Sequence, residues 1–313
     1  KIKPRSIILG LICLILAAGL TIGGFLIFRD DSSPSVPDET TSADLNPLGP
    51  PYNFDYSWAT RPYIAHAFGG ILGDTYTNSR EAFLINYQLG HRVFEVDFDI
   101  TTDNHTVLAH DADGWRANAV VKTNSDAQIA TNPDPTAFTY DNFMSSLWYD
   151  KYHPLDIDAL FQLLQEYPDI YIVTDTKYSD KEHVSLQFTE FVETAKNYDK
   201  SLLDRFIPQI YQPEMLNMIM EIYPWKSVIY TLYSNPDWTP ENVLAFARES
   251  GVKFITMWGS LVNQEVIDLW ETAEIKVAAH TINDLTQADQ LRNLGVEVVY
   301  TDFLLLDYSM ARQ

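Results

Sequence analysis

The sequence has almost no cysteine. Cys13 is the single one in 313 residues, and it sits inside an uncharged apolar run. It lacks the small-residue setting of a lipoprotein cleavage site. The rest of the chain therefore has no disulfides and no thiol chemistry. Basic residues are scarce as well: 21 Lys and Arg stand against 43 Asp and Glu, a formal net charge of −22. A surface this acidic repels nucleic acid and anionic lipid headgroups. No nucleic-acid partner is expected, nor a role in travelling over anionic lipid. Such a surface is compatible with divalent cations, but acidity alone does not make a site. Gly-rich phosphate loops and internal repeats are also missing, which sets aside P-loop nucleotide binding and solenoid architectures. Nothing in the sequence points to a protein partner.

What is present begins with Ile7–Phe28, a run of 22 residues without a charge. About 20 apolar residues span a bilayer core as a helix, whereas the apolar part of a cleavable signal is shorter, about 7–15 residues. The expectation is a retained single-pass anchor within residues 1–28. A signal peptide cut near "ILAAG" is the alternative. Lys1, Lys3 and Arg5 would keep the N-terminus cytoplasmic and place everything after Phe28 outside the membrane. Residues 29–57 are rich in Ser, Thr, Asp and Pro without apolar periodicity, and read as a disordered linker. From Trp58 to Gln313 the composition is globular. Those 256 residues are the usual size of one (β/α)8 TIM barrel.

Eight short apolar or β-branched runs read as strands: "PYIAHA" (62–67), "RVFEVDFD" (92–99), "IYIVTDTK" (170–177), "RFIPQIY" (205–211), "SVIYTLY" (227–233), "KFITMW" (253–258), "IKVAAHT" (275–281) and "VEVVYTD" (296–302). Helical patterns separate most of them. "NSREAFLINYQLG" (78–90) has Asn78 as its expected N-cap, Glu81 three residues on and Gly90 at its close. "DALFQLLQEYP" (158–168), "TPENVLAFARESG" (239–251) and "NDLTQADQLRNLG" (283–295) behave alike. Strand–helix alternation of this kind predicts an α/β fold with a closed parallel sheet. Sites in such barrels lie at the C-terminal strand ends. The polar residues there are His66, Glu95 with Asp97 and Asp99, Asp175 with Lys177, Tyr211, Tyr233, Trp258, His280 and Asp302.

Glu95, Asp97 and Asp99 alternate and share one strand face. A two-residue turn at Asp103-Asn104 would bring His110 directly opposite Asp97, whereas a longer turn would slip that register by one. Taken alone, the acidic alternation is equally consistent with an ordinary polar hairpin face. With Asp175 it becomes a three-carboxylate set, whose oxygens suit calcium or magnesium better than zinc. Two histidines at one barrel mouth, His66 and His110, with a metal between them make a general acid and a general base. His66 is taken as the base and His110 as the acid, an assignment the sequence itself does not fix. Lys177 would neutralise a phosphate oxygen or pair with Asp175. Trp115, Trp258 and Tyr233 either line a polyol pocket or pack under a loop. The long segment 112–157 is expected to cover the site.

The ordered set "AH", "FEVDF", "LAHD", "VTDTK", "AHTIND" and "YTDF" resembles the glycerophosphodiester phosphodiesterase family, a fold relative of phosphatidylinositol-specific phospholipase C. The resemblance spans about Ile64 to Phe303. It implies a barrel enzyme hydrolysing a glycerophosphodiester or a glycerol-phosphate polymer, of lipid or wall origin. It implies His66 and His110 as the catalytic pair and Glu95 with Asp97 as metal ligands. The family's third acidic ligand, a Glu two residues before Lys, is here Asp175 before Lys177. The Arg that follows the first histidine is here Ala67, its "ENT" is Thr77-Asn78-Ser79, and a late-strand aromatic is His280. Lys177, Trp258 and His280 are thus the expected substrate contacts. Two rivals remain: a cyclising phospholipase C- or D-like reaction on the same fold, and an inactive membrane-tethered binding module.

Overall fold

Every strand expected from the sequence is present in the computed structural model, which describes residues 49–110 and 138–306. The strands are β1 Tyr63–Ala65, β2 Val93–Ile100, β3 Thr106–Leu108, β4 Tyr171–Asp175, β5 Phe206–Ile210, β6 Ile229–Thr231, β7 Phe254–Trp258, β8 Lys276–His280 and β9 Val298–Thr301. Their order is β1-β9-β8-β7-β6-β5-β4-β2-β3, and β1 also pairs with β2. That pairing, parallel with Ala65 opposite Phe94, closes the eight strands other than β3 into a parallel (β/α)8 barrel. β3 hangs on β2 as an antiparallel hairpin partner.

Two-residue alternation builds the barrel interior in layers. Ile64, Val93, Val173, Ile207, Ile229, Phe254, Ala278 and Val298 form one buried apolar cluster. Two residues further along the same faces come His66, Glu95, Asp175, Gln209, Thr231, Thr256, His280 and Tyr300. Each strand thus begins apolar and turns polar toward its C-terminal end. Gln209 joins this second layer laterally, its Oε1 accepting from Thr231 Oγ1 at 3.0 Å and from Tyr300 OH at 2.9 Å. A second apolar cluster lies between strands and helices and includes Phe94, Phe98, Phe188, Phe206 and Trp225.

The opposite end of the barrel is closed by residues upstream of β1. Trp58 is buried in the interior cluster, its ring 4.7 Å from that of Phe254, and its indole N–H donates to Ser227 Oγ at 2.8 Å. Tyr52 N donates to Ser250 O at 2.8 Å, and Tyr56 OH accepts from Lys253 N at 2.9 Å. The docked chain therefore begins before Trp58, within the stretch whose composition reads as linker. The expected anchor, most of that linker, Trp115 and much of segment 112–157 lie outside the described residues. Among the described residues, no helix is long and apolar enough to cross a membrane.

The hairpin departs from the expected register. Phe98 pairs with Leu108 and Asp99 with Val107, so Asp97 stands beside Ala109, whose N–H donates to Asp97 O at 3.0 Å. The cause is the turn. Thr101 closes on His105, with Thr101 N donating to His105 O at 2.9 Å, and Asn104 takes φ 64°. Three residues, not two, fill the loop, a geometry that needs one left-handed position. The helix after β1 also starts differently. It spans Arg80–Gln88 with Ser79 as N-cap, not Asn78.

Candidate active site

The polar layer opens into a cavity of about 270 Å³ at the C-terminal strand ends, lined among others by His66, Glu95, His110, Asp175, Lys177, Trp258 and His280. These residues lie on or within two residues after β1, β2, β3, β4, β7 and β8, so the fold brings together most of the expected set. Asp97 lies just behind the wall. Glu95, Asp97 and Asp175 offer oxygens that all lie within 4.8 Å of one another, and all three residues are buried. The strands impose this placement: Asp97 and Asp175 are directly paired in register across β2 and β4. Asp99 is separate, its Oδ1 accepting from Tyr178 OH at 2.6 Å.

His110 reaches the cavity despite the slipped register. β3 ends at Leu108, and the chain bends at His110, so strand alternation no longer dictates where that side chain points. Tyr76 packs against both imidazoles, with ring centroids 4.7 Å from His66 and 4.3 Å from His110. The segment 138–157 supports the loop carrying Tyr76: Tyr149 OH donates to Thr75 O at 3.0 Å, and Tyr152 OH to Asp74 Oδ2 at 2.8 Å.

His66 Nδ1 lies 2.9 Å from Asp302 Oδ1, and its Nε2 is 3.9 Å from Glu95 Oε2. Burial disfavours the imidazolium, but the Asp302 hydrogen bond and the charges of Glu95, Asp97 and Asp302 outweigh it and raise His66 to about 9. Asp302 is itself held by Asn283, whose Nδ2 donates to Asp302 Oδ2 at 2.7 Å and whose Oδ1 accepts from Asp302 N at 2.8 Å. Just above, Gly70 N donates to Asp302 O at 2.7 Å. A Cβ on Gly70 would collide with the Phe303 ring at 2.1 Å, so a larger residue there would have to displace that ring.

The carboxylates are held by different means. Ala67, at φ 50°, turns its N–H onto Glu95 Oε2 at 2.8 Å. Asn78 Nδ2 donates to Asp97 Oδ2 at 2.8 Å, and Asn78 Oδ1 accepts from Asp97 N at 3.0 Å. Asp175 Oδ1 accepts from Tyr233 OH at 3.0 Å and from Tyr211 OH in a short contact. The Lys177 ammonium bridges Asp97 Oδ1 and Asp175 Oδ2, at 2.5 Å from each. Burial and the neighbouring charge of Asp97 push Glu95 well above the usual carboxylate range. Burial would do the same to Asp97, but Lys177, His110 and His66 hold it low. Burial opposes the Lys177 charge, yet Asp97 and Asp175 raise its pKa further.

A divalent cation fits this donor set. Glu95 Oε1 is buried with no hydrogen-bond partner, and Asp97 Oδ1 has no aligned hydrogen bond, only its ion pair. Oxygen donors without cysteine or histidine among them suit a hard ion. The remaining wall is aromatic. The Trp258 and His280 rings lie 4.4 Å apart, and Tyr233 and His280 5.1 Å. Burial, with the nearby His66 charge, lowers His280 to about 4, which makes it a neutral wall residue. Sequence reasoning gave no role to Asp302, Asn283, Tyr76 or Tyr211, and took Asn78 for a cap. Strand-end position signals Asp302 and Tyr211, but nothing local marks the loop residues.

Comparison with known proteins gives a consistent picture. Residues 70–306 match the model of the glycerophosphoryl diester phosphodiesterase family. Among solved structures, a candidate glycerophosphoryl diester phosphodiesterase from Silicibacter pomeroyi is 16% identical, with a TM-score of 0.61 over 82% of this chain and 92% of its own. A candidate glycerophosphodiester phosphodiesterase from Galdieria sulphuraria is 13% identical, with a TM-score of 0.63 over 77% and 94%. An Oleispira antarctica phosphodiesterase, solved with its product sn-glycerol-3-phosphate, is 18% identical, with a TM-score of 0.58 over 77% and 93%. At these identities the structural likeness speaks for the fold. No curated protein matches the chain.

Proposed function

From a chain that belongs to the glycerophosphoryl diester phosphodiesterase family, and is therefore a phosphoric diester hydrolase, we propose an enzyme that cleaves glycerophosphodiesters or glycerol-phosphate polymers with His66 and His110 as its proton-transfer pair. The observation that carries this reading is the convergence of both histidines with Glu95 and Asp175 on one cavity, Asp97 directly behind. The product bound by the Oleispira phosphodiesterase, sn-glycerol-3-phosphate, fits the same substrate class. On the sequence alone, the run Ile7–Phe28 would hold the barrel on the outer face of a membrane.

Proton transfer is assigned to the imidazoles by reach. With Nδ1 engaged by Asp302, His66 has Nε2 left to face the cavity. One histidine takes a proton from the attacking water or from a neighbouring substrate hydroxyl, and the other donates to the departing alcohol. Calcium or magnesium held by Glu95, Asp97 and Asp175 would supply positive charge for the non-bridging phosphate oxygens. Lys177 adds the permanent cation that Ala67, standing where the family has Arg, does not. Trp258, Tyr233 and His280 form the wall against which the alcohol portion rests.

The test is an assay of the full chain on a panel of glycerophosphodiesters and teichoic-type polymers, with calcium, magnesium or chelator. His66→Ala and His110→Ala should each reduce turnover by at least about a hundredfold. Turnover unchanged in both variants would refute the assignment. A cyclic phosphate product would move the reaction to the cyclising type.

A further inference from the structure

Among the described residues that line the cavity, Lys177 is the only lysine or arginine. Its ammonium is not directed at the open space. It lies 2.5 Å from Asp97 Oδ1 and 2.5 Å from Asp175 Oδ2, two of the oxygens that a cation coordinated by the acidic cluster would need. The local backbone enforces the contact. Lys177 sits at φ 57°, a left-handed position that a non-glycine residue occupies only when its surroundings hold it. That turn folds the side chain back over Asp175, two residues earlier. Asp175 is fixed from the other side by the Tyr211 and Tyr233 hydroxyls, so it cannot serve a second cation by swinging away. Glu95 Oε1, meanwhile, is buried without a hydrogen-bond partner.

We propose that Lys177 and a divalent cation compete for Asp97 and Asp175, so that cation binding expels the Lys177 ammonium and turns it toward the substrate phosphate. This rests on the reading of the cavity as a phosphodiesterase site and adds an order to it: cation first, phosphate second. Both positive charges cannot share the two oxygens. An ammonium and a divalent ion at contact distance repel, and the low dielectric of a buried site strengthens the repulsion. Only the ion can also engage the orphaned Glu95 oxygen. The displaced lysine keeps its charge turned into the open cavity, where water solvates it until a phosphate takes the place of the two carboxylates, so no buried ion is left unpaired. With Ala67 supplying no guanidinium, the phosphate contact from this wall then depends on the cation having entered.

Two measurements on the full chain test this without using turnover. The first is calorimetric titration of wild type, Lys177→Met and Lys177→Gln with magnesium and with calcium alone. Removing the competitor should tighten binding of at least one ion by about tenfold or more, which equals about 1.4 kcal/mol. Should the Met variant fold poorly, its melting temperature should rise more with added ion than that of wild type, since a ligand of the folded state stabilises it by an amount that grows with the logarithm of its concentration over Kd. The second is amine acylation of wild type read by mass spectrometry. Lys177 should be protected without divalent ion and should label several-fold faster with it. Equal or weaker ion binding in both variants would overturn the proposal, and so would Lys177 labelling that stays constant while calorimetry records bound ion. Release of Lys177 in a protein that cleaves no phosphodiester would uphold the exchange and refute the catalytic reading. Ion-dependent cleavage with unchanged labelling would do the reverse.

Discussion

Asp302→Asn isolates what the carboxylate behind His66 does for its imidazole. In the wild type, Asp302 accepts from two donors, His66 Nδ1–H at 2.9 Å and Asn283 Nδ2–H at 2.7 Å. An asparagine of the same shape has one acceptor oxygen and one donor nitrogen. If the oxygen faces His66, the two amide nitrogens of residues 283 and 302 confront each other. If it faces Asn283, the new amide donates to Nδ1 and forces the imidazole proton onto Nε2, the atom that must exchange protons with substrate. Either arrangement loses a hydrogen bond to a charged group, worth about 1.5–3 kcal/mol. At about 1.36 kcal/mol per decade of rate, turnover should fall by about 10- to 150-fold. Because Asp302 touches the histidine and does not itself line the cavity, KM should stay within about twofold of wild type, the signature of an interaction made in the transition state. Asp302→Glu, which keeps the charge, should recover part of the loss. The assay is steady-state kinetics on the best substrate of the panel, with melting temperatures measured alongside. A kcat within twofold of wild type, or a rise in KM carrying the whole effect, would refute the argument.

Two predictions concern stability. Trp58→Ala removes the largest side chain closing the far end of the barrel and leaves the Ser227 hydroxyl buried without its indole partner; denaturant unfolding should show a loss of about 3–5 kcal/mol, and a loss below about 1 kcal/mol would mean that this end is not closed as described. His91 is buried, and burial, aided by the charges of Arg92 and Arg61, lowers its pKa from 6.5 to about 4. The folded state therefore binds fewer protons than the unfolded one between those values, so stability is present above pH 6.5 and is lost as pH falls through about 4. Relative to His91→Gln, the wild type should lose about 3 kcal/mol between pH 7 and pH 4. A wild-type advantage that is flat over that range would show that His91 is not held neutral.

The barrel was legible because its signal is repeated. Eight strands each carry the same order, apolar below and polar above, on a two-residue period, and an error in one does not disturb the rest. Hairpin register has no such redundancy. "TTDNHT" closes as a three-residue loop because Asn104 accepts a left-handed conformation, and Asn-containing turns of both lengths read alike in one sequence. The expected contact between Asp97 and His110 consequently failed as a cross-strand pair. Still, His110 entered the cavity, since it lies beyond the end of β3 at Leu108 and the chain bends there.

Residues whose role comes from long-range closure were the least legible. Asn78 reads as a cap by its position before a helix, yet Ser79 takes that role and Asn78 turns inward to grip Asp97 through both its amide atoms. Asp302 and His66 stand 236 positions apart and meet only because β1 and β9 are neighbours in the closed sheet. One signal could have been read locally. In "YNFDYSW" the aromatics fall on every second residue, a spacing that polar tethers do not need and that docked extended chain does. Tyr52, Tyr56 and Trp58 indeed lie along the barrel end. That placement has a mechanical consequence. Residues 52–58 occupy the barrel end opposite the cavity, so a pull applied to the chain at Tyr52 would break the Tyr52–Ser250 bond first, then the Trp58 contacts, and would reach last the paired strand ends that hold His66, Glu95 and Asp175.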